Sequence, residues 1–202
     1  MQKIKKSILL IWFLMIGEDA TTIPFQTFFI SRETSNCPFI ADIIEFGKKL
    51  DKFEIVKDGE CSISLAFGKR ILINSKNFNI KYLKRQDIIE IVDYDPIKNV
   101  ILVIGKKYPS IEMPIHWIIQ KARHDVNAIL QITSKSLYEH LIDDLPITQK
   151  KALKGTVEQA KQILMALRTS KNILIRNEGV MFVGFNLKEI EDTLSKMLED
   201  FR

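Results

Sequence analysis

The stretch "PSIEMPIHWIIQKARHDVNAILQIT" (109–133) decides how the chain is read. Ser110 is a good helix N-cap, and Pro114 falls within the first turn or so, where proline is tolerated. The helix closes at Arg123, His124 and Asp125. Residues 126–132 then form a mostly apolar run of strand length. Gln131 within that run and Thr133 just after it are polar and stand two positions apart. Alternate residues of a strand share one face, so these two polar side chains emerge together. Such a face is a catalytic site, the remains of one, or an ordinary polar surface.

Working outward, Pro38 opens a helix in which Ile40, Ile43, Ile44, Phe46 and Leu50 fall mostly at helical spacing, predicting one buried stripe. A turn at Asp58-Gly59 leads into "SISLAF", the turn "GK" and "RILIN", a β-hairpin. A strand is expected over 88–92, stopping at Pro96, and another in "NVILVIG". Beyond the opening stretch come a short helix in "SLYEHLIDDL", a longer helix over about 148–169, and a hairpin in "NILIRNEGVMFVG". The last element is an amphipathic helix, with Asn186 as N-cap and Glu189 completing a capping box. Hairpins alternating with helices, with few parallel crossovers, predict an α/β (α/β/α) fold: a mainly antiparallel central sheet covered by helices.

A chain of 202 residues, 46% apolar and 27% charged, is long enough for one sizeable core. The net charge of +5 is mild. Its bases are interleaved with acids in "KKLDKFEIVKDGE" and "KYLKRQDIIE", so no nucleic-acid partner is expected. Cys37 and Cys61 are far apart and form no CxxC pair, which reads as two free buried thiols. No phosphate loop, dinucleotide fingerprint or HExxH is present. Lys3, Lys5 and Lys6 precede an apolar run over 8–16. That run reads as an export signal or as a buried strand paired through "GEDA" with "TIPFQTFFIS". It is shorter than the ~20 residues of a membrane span, and Glu18-Asp19-Ala20 makes a poor cleavage site. A cytoplasmic protein without a transmembrane span is expected, with export the lesser alternative. Residues 1–36 are taken as an extension and 37–202 as the main domain.

"GECSIS", "RILINSKNFNIKYLKRQDIIEIVD", "YPSIEMPIHWIIQKARHDVNAIL" and "NILIRNEGVMFVGFNLKEIED" resemble, in order and approximate spacing, the class II aldolase/adducin family. The resemblance covers roughly 38–202. Its most specific part is "PSIEMPIHWIIQKARHDVNAI", similar to the family's P-S-[ST]-E…H…R-x-D-[VI]-x-A. It implies an antiparallel sheet between helix layers and a homo-oligomer, commonly a tetramer. The family's enzymes are zinc-dependent aldolases, epimerases and dehydratases acting on sugar phosphates, and adducin's head domain is a non-catalytic relative.

The resemblance also assigns positions. The family's three zinc-binding histidines fall on Gln131, Thr133 and Glu178. An amide and a hydroxyl are weak ligands for zinc, so no zinc and no other cofactor is expected. At the phosphate pocket Glu60 replaces a neutral Asn, and a carboxylate there repels a phosphate. Lys76 and Asn77 fall on the family's [ST]-Gly, and Lys76 is expected to pair with Glu60. Ser110 is kept among the phosphate contacts, while Ile111 is apolar. Glu112 falls on the general acid/base position, where an acid near a helix N-terminus is also favoured structurally. His116 reads as a packing histidine. The resulting expectation is an aldolase-like protein without zinc or lyase activity, acting through oligomerisation or ligand binding. A catalytic paralogue is a candidate partner in a hetero-oligomer. The alternative is a divergent sugar-phosphate lyase, aldolase or isomerase that reuses Glu112, Glu178 and Lys76, with a harder cation such as Mg²⁺ or Mn²⁺.

Overall fold

The computed structural model describes residues 25–56 and 60–199. The apolar run over 8–16 and the turn at Asp58-Gly59 lie outside the described residues. Among the described residues, eight strands and five α-helices follow in the order β1 (Gln26–Ser31), α1 (Ile40–Phe53), β2 (Glu60–Phe67), β3 (Arg70–Asn74), β4 (Ile88–Asp95), β5 (Val100–Ile104), α2 (Met113–Ala122), β6 (Ala128–Thr133), α3 (Lys135–His140), α4 (Val157–Ala166), β7 (Asn172–Ile175), β8 (Gly179–Gly184) and α5 (Leu187–Met197), with two short 3-10 turns, Ile80–Tyr82 and Arg85–Asp87, before β4. The strands form one sheet in the order β1-β5-β4-β3-β2-β6-β8-β7. Of these strand pairs only β1–β5 is parallel; the others are antiparallel. The expected helix-covered, mainly antiparallel sheet is therefore what the chain forms.

Alternation along β6 divides the core. Ala128, Leu130 and Ile132 face a layer built from α1, α3 and α5. Ile129 faces the opposite layer, which Ile115 and Ile119 of α2 and Ala160 and Ile163 of α4 build. Gln131 and Thr133 share the α2/α4 side with Ile129. In α1 the buried stripe is Ile40, Ile43, Phe46 and Leu50, each at most 3% exposed. Burying such a side chain contributes roughly 1.5–3 kcal/mol, so this stripe docks α1 onto the sheet. Cys37 and Cys61 are free and buried, as expected. The outer edge of β7 is covered by the segment before α4: Thr148 N donates to Leu174 O (2.9 Å), and Leu174 N donates to Pro146 O (2.9 Å).

Three local expectations change. The strand expected over 88–92 runs on to Asp95, because a bulge between Ile91 and Asp93 keeps it paired to β5. Helix α2 begins at Met113, two residues later than a Ser110 cap implies; Ser110 Oγ donates to the Glu112 carboxylate and accepts from Glu112 N at 3.5 Å, in the turn before the helix. The helix expected over 148–169 is only Val157–Ala166. Gly155 has φ +73°, a left-handed turn that ends any helix there. Thr156 then caps α4 by accepting from Gln159 N (3.2 Å). Residues 148–156 are therefore a loop.

Candidate functional site

The end of β3 is stitched to the segment leading into α2. Ser110 N donates to Asn74 O (3.0 Å), and Lys76 N donates to Tyr108 O (3.0 Å). The buried Asn74 side chain continues this wall: its Oδ1 accepts from Ile63 N at 2.6 Å, and its Nδ2 donates to Ser75 O at 3.1 Å. Beside the wall lies a cleft of about 560 Å³ that brings together Glu60, Lys76, Asn77, Ser110, Glu112 and Lys154.

Lys154 organises the floor. Its Nζ lies 3.2 Å from Glu112 Oε1, 3.9 Å from Glu178 Oε1 and 3.9 Å from Glu60 Oε2. It also donates to Thr133 Oγ1 at 3.5 Å. Burial alone would favour the neutral amine, but the carboxylates of Glu112, Glu178 and Glu60 outweigh it and hold the lysine above its ordinary value. Lys154 therefore stays an ammonium at neutral pH and is no nucleophile. Lys154, which the sequence did not bring to the site, approaches Glu60 to 3.9 Å, and Lys76, the partner expected for Glu60, lines the same cleft.

Glu178 stands at the β7–β8 turn, where Asn177 takes the left-handed conformation (φ +59°). Gln131 Nε2 donates to Glu178 Oε1 (3.0 Å), and Gln159 Nε2 donates to Oε2 (2.6 Å). Burial raises the Glu178 pKa, with Lys154 and the two amides opposing and Glu112 adding to the rise. Gln131, Thr133 and Glu178, distant in sequence, thus converge through two strands and a turn, with Lys154 between the latter two.

His116 lies one helical turn past Glu112 and is fully buried, its Nδ1 2.8 Å from Ser64 Oγ. Burial pushes its pKa from 6.5 down to about 4, with Glu112 and the Gln131 amide pulling the other way. The unfolded chain therefore binds a proton between those values that the native state does not. Stability is full above the unfolded value and is lost as pH falls toward about 4. At about pH 5 the loss from this group is about 2 kcal/mol. His116→Asn is expected to reduce the drop in stability between about pH 7 and pH 5 by that amount, read from urea midpoints. An unchanged drop would mean that His116 is protonated in the fold.

Residues 41–137 match the family model of the Class II Aldolase and Adducin N-terminal domain. Over that stretch the chain is similar to a class II aldolase/adducin domain. Solved structures with the same fold include an L-fuculose 1-phosphate aldolase (20% identity, TM-score 0.63, covering 82% of this chain and 86% of that one). The L-fuculose-1-phosphate aldolase from Thermus thermophilus is similar at 16% identity and TM-score 0.64 (80% and 89% covered). YgbL, a putative aldolase/epimerase/decarboxylase from Klebsiella pneumoniae, is similar at 15% identity and TM-score 0.64 (80% and 85% covered). No curated protein sequence matches the chain.

In an aldolase/adducin-like domain the convergence of Gln131, Thr133 and Glu178 invites a test for zinc. The donors do not fit. The Gln131 amide is turned by its bond to Glu178, and its oxygen, though buried without a hydrogen-bond partner, is a neutral and weak ligand for zinc; Thr133 accepts from Lys154, and the ammonium of Lys154 would repel a divalent cation within a few ångströms. Among the described residues, no three of His, Cys, Asp and Glu are arranged to hold a metal ion. Lys154 is the site residue that sequence reading passed over. Its one local signal was the glycine that follows it.

Proposed function

We propose that this domain works without zinc and without lyase activity, through self-association or by binding a ligand in its cleft. The observation that supports this reading is the Gln131–Glu178–Gln159 arrangement: the one carboxylate at the family's ligand positions is already bonded by two buried amides. Such a carboxylate offers little to a metal, and the amide and hydroxyl beside it offer less. No described helix is long and apolar enough to cross a membrane. A homo-oligomer, with a tetramer as the family precedent, and mixing with a catalytic paralogue are both consistent with this reading.

A second reading is favoured by Glu112. It is 5% exposed, bonded to Ser110, and borders the cleft at the family's acid/base position. A divergent lyase or isomerase would use it as a base, and Ser110, Lys76 and Asn77 would then contact substrate. One experiment separates the two. Protein purified without added metal is analysed for bound metal, then assayed on L-fuculose 1-phosphate, the substrate in its relatives' names, with and without zinc, magnesium or manganese. No turnover under any condition is expected. Turnover that Glu112→Gln abolishes would establish the second reading. Light scattering on the same samples gives the oligomeric state.

A further inference from the structure

Three carboxylates from three separate elements face one ammonium in this domain. Glu60 opens β2, Glu112 precedes α2, and Glu178 sits in the β7–β8 turn. Glu112 and Glu178 side chains are 7% and 13% exposed, so neither has free access to solvent. Carboxylates buried this far need a counter-charge or must take up a proton. Lys154 is brought to them by the loop that ends at Gly155. Its position is fixed there, since Gly155 N donates to Gln159 Oε1 at 2.9 Å. The same Gln159 bonds Glu178 through its other amide atom. The loop, the helix and the turn therefore close around the ammonium as one hydrogen-bonded unit.

We propose that Lys154 is the resident cation of the cleft: a tethered ammonium that gathers Glu60, Glu112 and Glu178, in the electrostatic role that a bound metal fills in a metal-dependent site. This rests on the reading that the domain does without zinc. It adds that the positive charge was replaced and not merely lost. Other titratable groups near the cluster are His116 along α2, which is neutral, Cys61 beside Glu60, whose thiol burial pushes up to about 12, and Lys76 and Lys81, which line the same cleft. His116 and Cys61 cannot supply the charge at neutral pH, and Lys154 is the lysine whose Nζ lies within 3.2–3.9 Å of all three carboxylates. The distances of 3.2–3.9 Å are those of an ammonium among oxygens, longer than a direct metal–oxygen bond.

The test compares urea denaturation of the full-length wild type, Lys154→Met, Lys154→Arg, Glu178→Gln and the Lys154→Met/Glu178→Gln pair at about pH 7.5 and pH 5. Lys154→Met keeps most of the stem and removes the charge. Its loss of stability is expected to be at least about twofold larger at the higher pH, because the stranded carboxylates can protonate at the lower one. Glu178→Gln is expected to recover part of that loss, as coupled partners do. Lys154→Arg is expected to lose less than Lys154→Met. An equal loss at both pH values, with no recovery by Glu178→Gln, would make Lys154 a packing stem and overturn the proposal.

Millimolar manganese or calcium is expected to raise the melting temperature of Lys154→Met and to leave the wild type unchanged. A rise in the wild type would also overturn the proposal, since the cleft would then take a metal with the ammonium present. Should Lys154→Met not fold, acetylation mapped by mass spectrometry decides the question in folded proteins. Lys154 is expected to be protected in the wild type and several-fold more reactive in Glu178→Gln; equal reactivity counts against the proposal. The assay for sugar-phosphate turnover is separate. Turnover would sink the non-catalytic reading without altering these stability and reactivity outcomes.

Discussion

Gly179→Ala is expected to cost about 3 kcal/mol or more, because there is no space for the methyl group and no flexible neighbour to give way. A Cβ built on Gly179 would lie 2.0 Å from Ile132 O, 2.9 Å from Ile132 C and 3.0 Å from Thr133 Cα. All three are backbone atoms of β6. They are held where they are by the β6–β8 ladder, in which Ile132 pairs with Val180. Relieving the overlap means parting two central strands at the end that carries Thr133, next to the turn that carries Glu178. The variant should therefore lose stability and also the hydrogen bond between Gln131 and Glu178. Urea denaturation gives the first effect. An amide NMR spectrum gives the second, through shifted resonances at 131, 133 and 178. A variant as stable as the wild type would mean that the two strands can separate at no cost.

Phe182→Ala is expected to lose about 3–5 kcal/mol, the usual result of emptying a fully enclosed aromatic site. Phe182 is 0% exposed and is among the largest side chains buried completely. It stands opposite Leu130 on β6 and Asn172 on β7. It faces the α1/α5 layer, where Val180, Ile190 and Leu194 pack in the same cluster. The strands around it are pinned on both sides, so the space it leaves can collapse only in part. The cleft residues Gln131 and Thr133 belong to the other face of the sheet. This variant should thus keep the pH dependence assigned to His116 while losing overall stability. If that dependence changed as well, the two faces of the sheet would not be independent.

The sheet was legible because its strands announce themselves locally. Residues 61–67 and 70–74 flank a Gly-Lys turn, and 172–184 enclose an Asn in the left-handed conformation. Gln131 and Thr133 were legible as a pair from strand alternation, while Glu178 joined them only through the resemblance to the aldolase/adducin family. In the fold β6 and β8 pair with Gln131 opposite Met181 and Ile132 opposite Val180, which brings the β7–β8 turn and Glu178 beside them. Lys154 was not legible. Apolar residues such as Leu153, Val157 and Ile163 were read as part of one long helix from 148, which would have placed Lys154 on a helix surface. In the fold Leu153 is 78% exposed, and a backbone turn at Gly155 reverses the lysine toward the cleft. Loop residues follow no period, so where such a side chain points depends on tertiary contacts. The start of α2 failed for a related reason. Ser110 does accept from Glu112 N (3.5 Å) while donating to the Glu112 carboxylate, but it does so in a turn that precedes the helix and not at the helix end itself. The run "TIPFQTFFIS" was read as strand-like and holds β1, but its parallel pairing was beyond local reading, since its partner β5 begins some seventy residues later.

The Gln159 side chain has a mechanical consequence. Its two amide atoms grip Gly155 and Glu178, and it stands in the first turn of α4 with only 2% exposure. It works as a strut of fixed length between the loop and the turn. If α4 slides or tilts, both attachments travel with it, and the gap between the lysine and the turn is conserved while the gap to Glu112, on the far wall, widens or narrows. The cleft is thus a jaw with one rigid side. One buried side chain thereby ties the backbone next to Lys154 to the turn that carries Glu178.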